Sequence, residues 1–483
     1  MLFTAARKTL LFLLFATIGA GAYAQDFSNR GREFWVAYSY HVGMVNGGGA
    51  PAMTLYLTSP IATTYTVEAF GAAGPPISTG NINANQVVSV IIPNTYFIDV
   101  NGLAPAGRAI RVTAADPIAM YSFITRSSAS AATLCLPTNV LGREYVASSF
   151  TQVSNEANAC SYITIIGVED NTTVDITVTA PTRGNWSAGS TNQITLNKGQ
   201  VYQVLGTTTG NNGVDLSGSK IVSVASSGAS CKRIAVFSGS GKLGIAAGGC
   251  TGPSADNLYQ QLYPVSTWGK RFLTAPSSGR PFNYYRVYRK SSNTTLTVNG
   301  VAVGPTSFTN DYYQFYNNSF NLIESNEPIS VAQYFPSQGC PPGAGGNPNP
   351  YDPEMIILSP LEQNIKDVTL QNSPLTNTTL AHQHYIQVVM PNTGTAISSF
   401  RFDGNPVPAT SWVAHPQDNT YSYLYLNSVT VGNHRLSSDS GFVALAYGYG
   451  ATESYGYSAG ANVKDLYQFL SVTSNGVLTP VPR

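Results

Sequence analysis

Charge is scarce in this chain. Lys, Arg, Asp and Glu make up 10% of its 483 residues, and the formal net charge is +1. The basic footprint of nucleic-acid binding is therefore missing. Trp (4), Cys (5), His (5) and Met (6) are also few. No two cysteines have the CxxC spacing of a zinc site. The G-x-S-x-G nucleophile elbow is absent. No long amphipathic helix is visible, and after the first two dozen residues no apolar run could span a bilayer as a helix. What is plentiful is Gly (45), Pro (29) and Tyr (29), the composition of many turns joining aromatic-rich strands.

The chain opens with Arg7 and Lys8, an apolar stretch from Leu10 to Ile18, and Ala22-Tyr23-Ala24. That pattern reads as a signal peptide over 1–24, leaving Gln25 as the new N-terminus. A true N-terminal membrane helix is the alternative. No Cys follows the cleavage point, which argues against a lipid anchor. A secreted or cell-surface protein is expected.

The remainder repeats about four times. Gly31-Arg32-Glu33-Phe34, Gly142-Arg143-Glu144-Tyr145 and Gly269-Lys270-Arg271-Phe272 open three copies; the fourth lacks the Gly. A β-branched strand recurs as Thr63–Val67, Thr172–Ile176 and Thr294–Val298, and the fourth copy offers Ile397–Phe402 instead. Thr alternating with aliphatics puts one face outward and one inward. Asp116-Pro117 and Glu327-Pro328 read as turns between the last two strands of their copies. Six or seven strands per copy suit a small sandwich.

The expected fold is all-β, with four tandem, divergent β-sandwich-like modules packed together. A β-propeller-like arrangement is the alternative. The modules are placed at 25–134, 135–260, 261–354 and 355–465. Residues 466–483 form a tail or the start of a further domain. Leu136-Pro137, Tyr263-Pro264 and Ser359-Pro360 are short joints, whereas Cys340 to Pro353 reads as an exposed loop.

Cys135 with Cys160, and Cys231 with Cys250, are possible disulfides, each closing a loop worth on the order of 3 kcal/mol. Buried free thiols are the alternative, and Cys340 is left over.

The start Gly31–Tyr38, the segment Leu55–Thr64 and the late run Ala446–Tyr457 resemble the N-terminal domain of the IgGFc-binding protein family. The resemblance covers nearly all of the mature chain. It implies an extracellular, non-catalytic binding or adhesion role, as in a mucus-associated animal protein and many secreted Bacteroidetes proteins. It carries no catalytic residues over, and Fc binding does not follow from the family name.

Chemistry-bearing motifs are sparse. Ser238–Leu243 looks like a phosphate loop but lacks its first Gly and its Ser or Thr, and reads as a hairpin turn. His382 and His384 share a strand face and could hold a metal if His415 or His434 converged, but an ordinary polar edge is the plainer reading. Glu169, Asp170 and Asp175, and Asp352 with Glu354, do not form an EF-hand, although a structural calcium in a loop remains compatible. Otherwise no cofactor is implied.

Aromatics mostly read as sheet filling. The exception is Tyr447, Tyr449, Tyr455 and Tyr457, whose Gly neighbours suggest rings presented from a turn as a binding edge. The expected partner is an extracellular glycoprotein, mucin or polysaccharide. A structural spacer and a polysaccharide-active enzyme are the competing readings.

Overall fold

Each repeat folds into two sheets around one apolar core, and one long strand belongs to both. In the first module Ile110–Arg126 begins between Gly31–Val36 and Thr63–Ala69, then crosses to lie between Ala52–Thr58 and Ala129–Cys135. Asn321–Phe335 and Gly432–Gly450 do the same in the third and fourth modules. In the second the long strand is split into Lys220–Val224 and Ile234–Leu243. The modules are sandwich-like, and among the described residues the main sheets of each hold seven or eight of its strands. The computed structural model describes residues 28–46, 52–126, 129–226, 230–245, 254–280, 282–337, 352–376 and 381–466, and the backbone of 469–474 and 477–482. The signal-peptide segment, Cys250, Cys340 and most of the 340–353 loop lie outside the described residues.

Three local expectations are corrected. Asp116-Pro117 and Glu327-Pro328 are not turns between strands. They sit inside the long strands, where one sheet's partners end and the other's begin. No ladder bond is needed there, so a Pro without an N–H is tolerated. Ser238–Leu243 is not a hairpin turn but the end of the buried strand Ile234–Leu243. Its Gly239 lies against the Leu258 carbonyl, leaving no room for a Cβ. Ile397–Phe402 is not a β-branched strand; a single helical turn, Ala396–Ser399, precedes a two-residue strand, Arg401–Phe402.

The modules close into a ring. The last strand of each, Ala129–Cys135, Asp256–Gln261, Glu354–Ile357 and Glu453–Ser458, is wholly buried. These four pack around one axis in chain order, and the fourth meets the first. The propeller-like alternative describes this circular order but not the modules, which are two-layered and not single-sheet blades.

The joints explain why the repeat begins with Gly. Gly31, Gly142 and Gly269 each lie against the Pro that leads into the next module: Pro137, Pro264 and Pro360. After each Pro comes one 3-10 turn, Thr138–Val140, Val265–Thr267 or Leu361–Gln363. The fourth module closes on the chain's beginning instead. Asn29 donates its backbone N–H to Ala461 (2.9 Å), and Arg30 pairs with Asp367 at 2.8 Å.

A methyl group at Gly142 would overlap the Pro264 ring. Gly142→Ala is expected to cost about 1–3 kcal/mol and lower the melting temperature. Gly304→Ala, where the nearest atom is 3.9 Å away, serves as the control and should leave it unchanged.

Candidate functional site

The four tyrosines proposed as a binding edge are all fully buried. This corrects the expectation of rings presented from a turn. The turn at Ala451-Thr452 is real, but the strands on either side face other modules. Tyr447 packs on Phe335 (5.4 Å between centroids), and its hydroxyl accepts from the Ser278 N–H at 3.0 Å. Tyr449 lies under the Arg280 guanidinium, 4.3 Å from its ring centroid. Tyr455 and Tyr457 pack on Phe123 of the first module at 5.4 and 5.6 Å. The Tyr457 hydroxyl donates to the Gln371 carbonyl at 2.6 Å. These rings join modules three to four and four to one.

The histidines do not converge. His384 Nδ1 meets the Tyr455 hydroxyl at 2.9 Å, His415 Nε2 the Thr274 carbonyl at 3.1 Å, and His434 Nδ1 the Asp403 carboxylate at 2.8 Å. His382 is a ring neighbour of His384 (6.3 Å between centroids). Burial holds His384 down at about 4. Among the described residues no group of three His, Cys, Asp or Glu side chains is arranged to hold a metal ion. The turn acids serve local bonds: the Asp170 carboxylate accepts from the Lys198 N–H at 3.0 Å, and Asp175 from the Gln193 amide at 2.8 Å.

The proposed Cys135–Cys160 disulfide is corrected as well. Both are buried free thiols in different apolar clusters. Burial raises both, Cys160 to about 12, so neither is a reactive thiolate. Cys231 is a half-buried free thiol, and its suggested partner Cys250 lies outside the described residues.

Sequence reading missed a buried set of acids around the ring axis. The Asp256 carboxylate accepts from Ser130 N–H (2.5 Å), Asn257 N–H (2.8 Å) and Ser454 N–H (3.1 Å). Glu354 accepts from Met355 N–H (2.7 Å) and Gly456 N–H (3.0 Å). Glu453 accepts from the Ser130 hydroxyl at 2.7 Å. Burial raises Asp256 and Glu354 well above the carboxylate range and pushes Asp352 up to about 6. Asp256 and Glu354 thus hold backbone N–H groups of their own and of neighbouring strands. Their sequence signal was slight, because the residues come from three modules.

An open groove of about 610 Å³ lies where the second and third modules meet the end of the fourth. Buried Val140, Leu141, Val265 and Val463 form its base. Exposed Arg143, Arg233, Lys290 and Glu327 form its rim, with Asp465 beside them. Lys290 pairs with Glu144 at 2.7 Å, tying the third module to the second. The second module's first strand is short here, Glu144–Val146. The chain beside it is the split in the long strand: Ile234 N–H donates to the Gly142 carbonyl at 3.0 Å, and Arg143 Nε to the Cys231 carbonyl at 2.9 Å. Gly142-Arg143-Glu144 was visible in the sequence only as a repeat marker. The groove's volume is that of a small-ligand site, and its mixed polar and apolar lining suits recognition.

A closed ring of β-sandwiches with a groove of this kind is a scaffold that suits binding. The chain belongs to the IgGFc binding protein family, whose model matches residues 131–448. That family is one of binding proteins, not of enzymes. No curated protein matches the chain. Among solved structures, the GH78 family rhamnosidase of Bacillus sp. GL1 aligns at 9% identity with a TM-score of 0.13. That alignment covers 93% of this chain and 55% of the rhamnosidase, and at that score it carries no argument. Among the described residues no helix is long and apolar enough to cross a membrane.

Because Tyr457 fills a joint, Tyr457→Ala is expected to cost the fold about 3–5 kcal/mol, read as a lower urea midpoint. A variant as stable as the parent would contradict the packing. His384 gives a pH signature. Its folded value lies below the ordinary 6.5, so its contribution is complete above about 6.5 and is lost as pH falls towards 4. The melting temperature of His384→Gln should therefore fall less steeply than the parent's across that window.

Proposed function

We propose that this chain is a secreted, non-catalytic recognition protein that holds a segment of an extracellular glycoprotein, mucin or polysaccharide in the groove between its second and third modules. The groove itself carries the reading. It is large enough for two or three sugar rings or a short peptide, and it is rimmed by exposed charged side chains. Membership in a family of binding proteins supports it, and the leader-like segment at 1–24 supports export. The family's printed name makes IgG Fc one partner to test among others.

A second reading is a rigid spacer. The tightly packed Gly–Pro joints favour it, because a closed ring without flexible linkers transmits position well. One panel separates the two readings: immobilised mucins, plant and microbial glycans, glycoproteins and IgG Fc, probed with the full chain. Specific capture is expected, weakened about tenfold or more by Ser291→Trp, which fills the groove rim. Ser89→Trp, on an exposed strand of the first module, should leave capture intact. Silence across the panel would favour the spacer.

A further inference from the structure

The groove is where the repeat breaks its own charge rule. In the first module the basic residue after the opening Gly, Arg32, faces Asp116 at the bend of the long strand, 3.5 Å away. In the third, Lys270 donates to the Asn326 carbonyl at 2.6 Å, one residue before Glu327. In the fourth, Lys366 lies close enough to Asp439 to help hold its carboxyl below the usual range, after the Ser399 and Thr395 hydroxyls that bond it. The second module has no acid-Pro bend. There Arg143 Nε donates to the Cys231 carbonyl instead, and exposed Arg233 stands two residues on. An acid has been exchanged for a second cation.

Among the described residues neither Arg143 nor Arg233 has a carboxylate within ion-pair distance, whereas Lys290 is already matched by Glu144. The other acids lining the groove, Glu327 and Asp465, come from the third module and from the chain beyond the fourth module's last strand.

From this asymmetry we infer that the groove selects an acidic sugar: a hydroxylated ring carrying one carboxylate or one sulfate ester. The inference rests on the reading of the groove as a binding site. Guanidinium groups bind carboxylate and sulfate oxygens through paired N–H donors. Carboxylates at Glu327 and Asp465 accept hydrogen bonds from ring hydroxyls and oppose a polyanion such as a nucleotide or a polyphosphate. The apolar base at Val140, Leu141, Val265 and Val463 takes the C–H face of the ring.

The test uses the full chain in solution titrations against three matched oligosaccharides: sialylated, sulfated, and the neutral core. At least one charged form is expected to bind about tenfold or more tightly than the neutral core. The double variant Arg143→Gln/Arg233→Gln should erase that preference at unchanged melting temperature, while Arg32→Gln should keep it. The arm that binds identifies carboxylate or sulfate. Equal binding of charged and neutral forms overturns the inference, as does a preference that survives the double variant. In those cases the binding reading itself still stands if Ser291→Trp blocks capture. Absence of binding to all three and to the wider panel overturns both.

Discussion

The ring depends on how four buried strands meet without a ladder between them. A strand edge presents N–H and C=O groups that must find partners once water is removed. Around the axis those partners are side chains. Gln260 is central: its amide nitrogen lies 2.7 Å from the Ala132 carbonyl, 2.6 Å from that of Met355 and 3.2 Å from that of Gly456. One residue of the second module thus reaches the inner strand of each of the other three. Asp256 and Glu354 serve the opposite need by accepting N–H groups. An unsatisfied buried carbonyl or N–H costs about 1–3 kcal/mol, so a few polar side chains decide whether the modules close together.

The same logic governs the outer joints, where the interfaces differ in chemistry. Between modules two and three, buried Arg286 pairs with Asp215 at 2.7 Å and donates to the Ser149 carbonyl at 3.0 Å. Its guanidinium lies between the rings of Phe150 and Tyr312, 4.3 and 4.4 Å from their centroids. A buried charge is tolerated only with such partners, and in return it fixes register. Between modules one and two the Gln203 side chain takes this place. It accepts from the Tyr40 N–H and donates to the Ile98 and Val100 carbonyls. Gly102–Leu103 of the first module then adds to the second module's sheet edge. Between four and one the contact is mainly aromatic, through Tyr121, Phe123, Tyr455 and Tyr457. These three joints differ in chemistry, which gives the ring a defined order of parts.

Much of this was legible from the sequence, and the exceptions have physical causes. Period-two alternation and recurring Thr-Thr strands carry the β-class, because burial of one face writes itself into neighbouring residues. The Gly–Pro spacing carries the joints, because close approach demands a missing Cβ at a fixed place. The acid-Pro bends misled, since Pro marks turns and strand crossings alike. Tyr447 to Tyr457 misled for a related reason. Gly beside Tyr is also what lets two strands approach around a ring: Gly448 lies against the rings of Tyr455 and His384. The central acids and the groove were out of reach, because their members lie far apart in sequence and carry no spacing.

The groove proposed for recognition falls where the repeat's symmetry fails, and stability explains why. Where a module keeps its bend, the opening cation is held by its own module's acid or by a carbonyl beside one. The aromatic residues that sequence reading favoured are consumed by the joints and cannot be freed without opening the ring. A binding surface must come from groups the fold does not need. The split in the second module's long strand supplies them, because the strand's two halves, Lys220–Val224 and Ile234–Leu243, remain paired in separate sheets. The scaffold can lose one bend there without losing a ladder, and Arg143 and Arg233 are what that loss leaves exposed.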